Sequence, residues 1–121
     1  MKQVDLGFTQ LEIHDYYSIV RIGEGVDMTL ANHEQILSEV EHEIDGPYDL
    51  IYDWINSCSV KADVIEAIRQ NMRITCCVVI AYRDATVKSL AVAAEIINKP
   101  GTFCRSLDDA RQWLRHTHGH R

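Results

Sequence analysis

The stretch Tyr48-Asp49-Leu50-Ile51-Tyr52-Asp53-Trp54-Ile55, followed by Asn56-Ser57-Cys58-Ser59 and then Val60, Val64, Ile65, Ile68 and Met72 at helical spacing, decides the fold. Its first part is dense in aromatic and β-branched residues, the composition of a strand buried among neighbours. Its last part changes to a period of three and four, which is a helix. Strand, short turn and helix therefore follow within one short segment, the unit from which α/β sheets are built.

Working outward, the same alternation recurs on both sides. Residues 11–14 and 17–22 read as two short strands around the polar His14-Asp15-Tyr16, a hairpin. Thr29 can cap a helix whose Ile36, Leu37, Val40 and Ile44 share one face, ending before Gly46-Pro47. Glu34, Glu39, Glu41, Glu43 and Asp45 populate its other face, the pattern of a solvated surface. Ile74 to Tyr82 is almost wholly apolar, as expected for a strand buried on both faces. Asp84 or Thr86 then caps a helix with Val87, Leu90, Ala91, Ala94 and Ile97 as its inward stripe. After Lys99-Pro100-Gly101, residues 102–105 make a last short strand, and Ser106-Leu107-Asp108-Asp109 matches a capping box that starts a helix through Ala110, Trp113 and Leu114. The reading is α/β: a mixed, mostly parallel five-stranded sheet with about four helices. The 121 residues form a single domain, with 116–121 as a flexible tail.

Composition narrows the function. With 46% apolar and 25% charged residues the chain is of ordinary globular make-up. A formal charge of -6 would repel a phosphate backbone, so no nucleic-acid partner is expected. The charge is uneven, however, because Lys99, Arg105, Arg111, Arg115 and Arg121 face only Asp108 and Asp109 in the C-terminal segment, which leaves room for a local anionic contact. The longest apolar run, Cys76 to Tyr82, falls far short of the ~20 residues of a membrane-spanning helix, so no membrane span is expected. The residues after Met1 lack the pattern of a signal peptide, and the expected compartment is cytoplasmic.

No phosphate-cradling glycine motif and no nucleophile elbow occurs, and Cys58, Cys76, Cys77 and Cys104 form no C-x-x-C pair. The thiols read as reduced and structural. His116, His118 and His120 alternate, but a terminal run lacks the rigid, second-shell-supported ligand set of a metal site. Neither metal nor cofactor nor catalytic residue is expected, and the chain reads as a non-enzyme. An enzyme would have to rest on Cys58 at a helix N-terminus, with His14 or His33 brought to it by the fold.

The order of these elements, with Tyr48 to Asp53, Ser57 to Val60, Cys76 to Tyr82 and the ending Phe103-x-x-Ser-Leu-x-x-Ala-x-x-Trp-Leu, resembles the SpoIIAA-like (STAS-like) family across nearly the whole chain. That resemblance implies a mixed sheet covered by helices. It also implies a protein-binding role, since anti-sigma-factor antagonists of this family are switched by phosphorylation of a serine where a central strand enters a helix. The matching positions are Ser57 and Ser59; the Asp-Ser-(Ser or Thr)-Gly pattern of those antagonists is absent, with Cys58 between the serines and Val60 after them. The chain is more similar to divergent SpoIIAA-like proteins of unassigned activity, some of them grouped by fold with lipid-binding domains.

The resulting expectation is a non-catalytic regulatory or protein-binding domain. Its partner-binding or regulatory surface would hold Asp53, Asn56, Ser57, Cys58, Ser59 and Lys61. The alternative is a small-molecule or lipid-binding domain with its ligand at the C-terminal strand ends. An edge strand of the N-terminal hairpin offers a route to a homodimer.

Overall fold

A computed structural model describes residues 1–23, 27–54, 61–81, 95 and 97–118, with Trp54 and His118 described by backbone alone. In chain order the elements are β1 (Lys2–Asp5), β2 (Thr9–Ile13), β3 (Tyr17–Ile22), α1 (Leu30–Glu43), β4 (Tyr48–Trp54), α2 (Ala62–Gln70), β5 (Ile74–Ala81), β6 (Gly101–Cys104) and α3 (Leu107–His118). The strands form one sheet in sequential order, β1 through β6. β1, β2 and β3 are an antiparallel meander. β3 to β6 then run parallel.

Parallel neighbours need crossovers, and crossovers of one hand that step steadily in one direction put their helices on one face. The core shows this. Ile36, Leu37 and Val40 of α1 and Val64 and Ile68 of α2 join Leu11, Val20, Leu50 and Tyr52 of the sheet in one buried cluster, against which Ile97 also packs. Ala110 and Leu114 of α3 join Ile19, Ile51, Val78 and Ile80 in a second cluster on the other face. β4 lies inside the sheet and its side chains divide between the two clusters, with Leu50 and Ile51 both fully buried. The α/β class and the mixed, mostly parallel sheet are therefore as the sequence predicts.

The strand count is six rather than five. β1 escaped the reading because only Val4 within it packs on the core, while its remaining residues are exposed; it is held by backbone pairing to β2, from Lys2 opposite Ile13 to Asp5 opposite Gln10. Its charged Lys2 and Asp5 suit a sheet edge, where they discourage pairing with a further strand. Three helices lie among the described residues; the expected helix from Asp84 to Ile97 falls largely outside them.

Local chemistry explains the ends of the elements. The Thr29 hydroxyl accepts the Asn32 N–H at 3.1 Å and opens α1. The Ser106 hydroxyl accepts the Asp109 N–H at 3.2 Å and opens α3. The N-cap of helix α2 is Lys61, whose side chain makes no capping hydrogen bond. Its apolar period also ends early, leaving Met72 88% exposed beyond the helix. α3 continues through His118, so His116 and Thr117 are exposed helical residues. Gly101 is required for packing, because a Cβ there would sit 2.2 Å from the Cys77 carbonyl oxygen.

The outer face of α1 is not uniformly solvated. Glu41 accepts hydrogen bonds from the Tyr48 hydroxyl at 2.7 Å and the Asn71 amide at 2.9 Å, and pairs with Arg73. This cluster fastens the end of α1 to the starts of β4 and β5.

Candidate functional site

The expected surface begins where β4 ends. Side chains alternate along a strand, so Asp53 points to the same face as Ile51, the face covered by α3. It is only 6% exposed, and the parallel register sets it beside Arg21 of β3. The Arg21 Nε lies 3.7 Å from the Asp53 Oδ2. Burial of a carboxylate demands such a partner, and the neighbouring strand supplies it.

Arg21 serves a second carboxylate. Its Nη1 donates to the Glu12 Oε2 at 2.8 Å. The Glu12 Oε1 in turn lies 3.0 Å from the His14 Nε2 and 3.8 Å from the Arg111 Nη2. Asp53, Arg21, Glu12 and Arg111 thus form a chain of alternating charge across the sheet beneath α3, with the His14 ring beside Glu12. The hydrogen bond from Arg21, reinforced by His14, holds the Glu12 carboxyl below its ordinary range against the opposing effect of burial. His14 is further fixed by stacking on Tyr17, ring centroids 4.4 Å apart.

Lys61 stands elsewhere. It opens α2, the helix on the opposite face, and its ammonium reaches Asp27 Oδ2 at 3.2 Å with both side chains exposed. That pair joins the segment after β3 to the segment after β4. Asn56, Ser57, Cys58 and Ser59 lie outside the described residues. Of the six expected residues, the structure therefore places Asp53 as a buried partner of Arg21 and Lys61 as an exposed surface cation.

Two features escaped the sequence reading. The first is the charge chain, although the hairpin alternation already put Glu12 and Arg21 on the face opposite Leu11, Ile13, Val20 and Ile22. The second is a polar pair inside the larger core: His33 is 1% exposed, and its Nε2 meets the Tyr52 hydroxyl at 2.7 Å. Burial pushes the imidazole down to about 4 and the phenol well above its usual value, so both are neutral near pH 7. Nothing in the sequence marks His33 except its place one turn into α1, between the cap and the apolar stripe.

Three thiols are described, and no disulfide joins Cys76, Cys77 and Cys104 to one another. Burial raises Cys77 to about 12 and also raises Cys104, which makes both poor nucleophiles at neutral pH. Among the described residues no three His, Cys, Asp or Glu side chains converge as metal ligands, and no helix is long and apolar enough to cross a membrane.

No protein-family profile matches the sequence, and no curated protein does. Among solved structures the chain is similar to an uncharacterised protein of the DUF3478 family with a SpoIIAA-like fold from Shewanella loihica PV-4. The two share 17% identity with a TM-score of 0.66, over 94% of this chain and 99% of the other.

Proposed function

Proceeding from a SpoIIAA-like fold with a divergent sequence, we propose that this domain acts by binding a protein partner, without catalysis, through the surface that runs from the end of β4 to the start of α2. The observation that carries this reading is the exposed Asp27–Lys61 pair. It ties together the two chain segments that leave β3 and β4 at the C-terminal ends of the parallel strands, where α/β sheets usually present their binding surfaces. Lys61, Ser57 and Ser59 are the contact residues on this reading. Asp53 contributes indirectly, by anchoring the end of β4 through Arg21. A phosphate added to Ser57 or Ser59 would add close to two negative charges a few residues before Lys61 in the chain and alter what a partner meets.

Native mass spectrometry of the protein purified from its source organism tests the reading. A protein subunit bound in stoichiometric amount is the expected result. A retained lipid or metabolite with no protein subunit would replace it with ligand binding.

A further inference from the structure

The surplus of cations toward the C-terminus resolves into two kinds. Lys99 donates to the carbonyls of Asn71 and Ile74, at 2.9 Å each. Arg105 donates to the Ala81 carbonyl at 3.1 Å. These two charges fasten backbone segments. Arg111 and Arg115 do something else: they stand one turn apart on α3 and, with Tyr16, Tyr17, Asp49 and Leu114, line a cleft of ≈ 140 Å³. The cleft lies where β3 and β4 begin, at the opposite end of those strands from the 53–61 surface.

The lining is unbalanced in a specific way. The Arg111 Nε is buried and has no acceptor among the described residues. Buried donors are nearly always paired, so Arg111 carries an unspent donor beside the cleft that its side chain lines. Arg115 is exposed, and no ion pair holds it among the described residues. Like charges four residues apart on a helix repel, and an anion beside both removes that cost. Asp49 offsets one guanidinium, and its Oδ1 already accepts the Thr75 hydroxyl at 2.5 Å. Glu12 stands behind Arg111, its Oε1 3.8 Å from the Nη2, so the charge left without a counter-ion among the described residues is that of Arg115, which suits a singly charged carboxylate better than a doubly charged phosphate.

Size and walls agree. The volume is below the ~300 Å³ at which pockets for whole drug-sized ligands begin, so the cleft takes a functional group and not a cofactor. The Tyr17 ring is held flat against His14, 8° between planes, and gives a fixed aromatic wall. Tyr16 is 52% exposed while lining the same cleft, an aromatic rim open to solvent.

We infer that this cleft binds a single carboxylate group, held by the guanidiniums of Arg111 and Arg115 beside the rings of Tyr16 and Tyr17. The carboxylate belongs either to a small organic acid or to an acidic side chain of another protein; the recognition chemistry is the same, a forked guanidinium against two oxygens. The site is independent of the partner surface proposed above, so either can fail alone.

The test is a titration of the full-length ¹⁵N-labelled protein with sodium acetate, against sodium chloride at equal ionic strength, following the Arg111 and Arg115 Nε–Hε signals. Acetate should move them saturably and chloride should not. Arg115→Gln, at an exposed position, should keep the fold and weaken acetate binding about tenfold, and Arg111→Gln should abolish it. Signals that do not saturate, or binding that Arg115→Gln leaves unchanged, would overturn the inference, and so would phosphate binding more tightly than acetate. N-acetylglutamate α-amide binding more tightly than benzoate would assign the carboxylate to a protein side chain; the reverse order would assign it to a free aromatic acid.

Discussion

On the face of the sheet under α1 and α2, Leu11, Val20, Leu50, Ile36, Val40, Val64 and Ile68 close into a broad apolar cluster, interrupted by the neutral pair His33–Tyr52. On the face under α3 the apolar cluster is smaller, built round Ile19, Ile51, Val78, Ile80, Ala110 and Leu114, and Asp53, Arg21, Glu12 and Arg111 run beside it as linked charges, with His14 against Glu12. The first face has α1, α2 and Ile97 packed on it among the described residues, and little freedom to hold charge. The second is covered, among the described residues, by α3, whose edge leaves room for ionised groups and for a cleft. Stability is concentrated on one side and adjustable chemistry on the other.

If that division is right, substitutions on the two faces differ in size. Leu50→Ala, emptying a fully buried site on the apolar face, should cost about 4 kcal/mol in urea unfolding; a loss as small as that of a surface change would break the comparison at once. The next largest effect is one of pH. His33 sits near 4 when folded and near 6.5 when unfolded, so the unfolded chain binds the extra proton first. Stability should therefore fall by about 3 kcal/mol as pH drops from about 6.5 to about 4, then level off with respect to this group. His33→Gln, which can still meet the Tyr52 hydroxyl, should erase that slope; a slope that survives would place its origin elsewhere.

The charged face should respond more weakly. Arg21→Met strips a shared cation from Glu12 and Asp53 and should cost about 2 kcal/mol at pH 7. Glu12 is held below its ordinary range in the folded state, so its contribution is present above about pH 4.3 and lost as the pH falls. The variant should flatten the acid limb below the window of His33 while leaving that window intact. Trp113 packs on the second cluster only partly buried, so Trp113→Ala should also cost about 2 kcal/mol, less than a filled core site. Lys61→Glu, at a side chain 46% exposed, should change stability by less than about 0.5 kcal/mol.

The same division explains what could be read from the sequence. β4 and β5 were legible because burial on both faces leaves a dense apolar run, and the starts of α1 and α3 because Thr29 and Ser106 cap by a local rule. The bounds of α2 are narrower than the apolar period from Val60 to Met72 suggests, because the helix runs only from Ala62 to Gln70. β1 has no hydrophobic signature, since its stabilisation is backbone pairing. The charge chain and the cleft depend on which strands become neighbours and where the last helix lands, contacts between Glu12, Asp53 and Arg111 that no local pattern encodes.

The most direct test of the binding account is paired affinity capture of tagged wild type and of the Lys61→Glu and Ser57→Asp/Ser59→Asp variants from the source organism, with each variant's folding checked by circular dichroism. The account predicts one stoichiometric protein partner on the wild type that both folded variants lose. A partner retained in full by both would contradict it and move the contact away from the junction of β4 and α2.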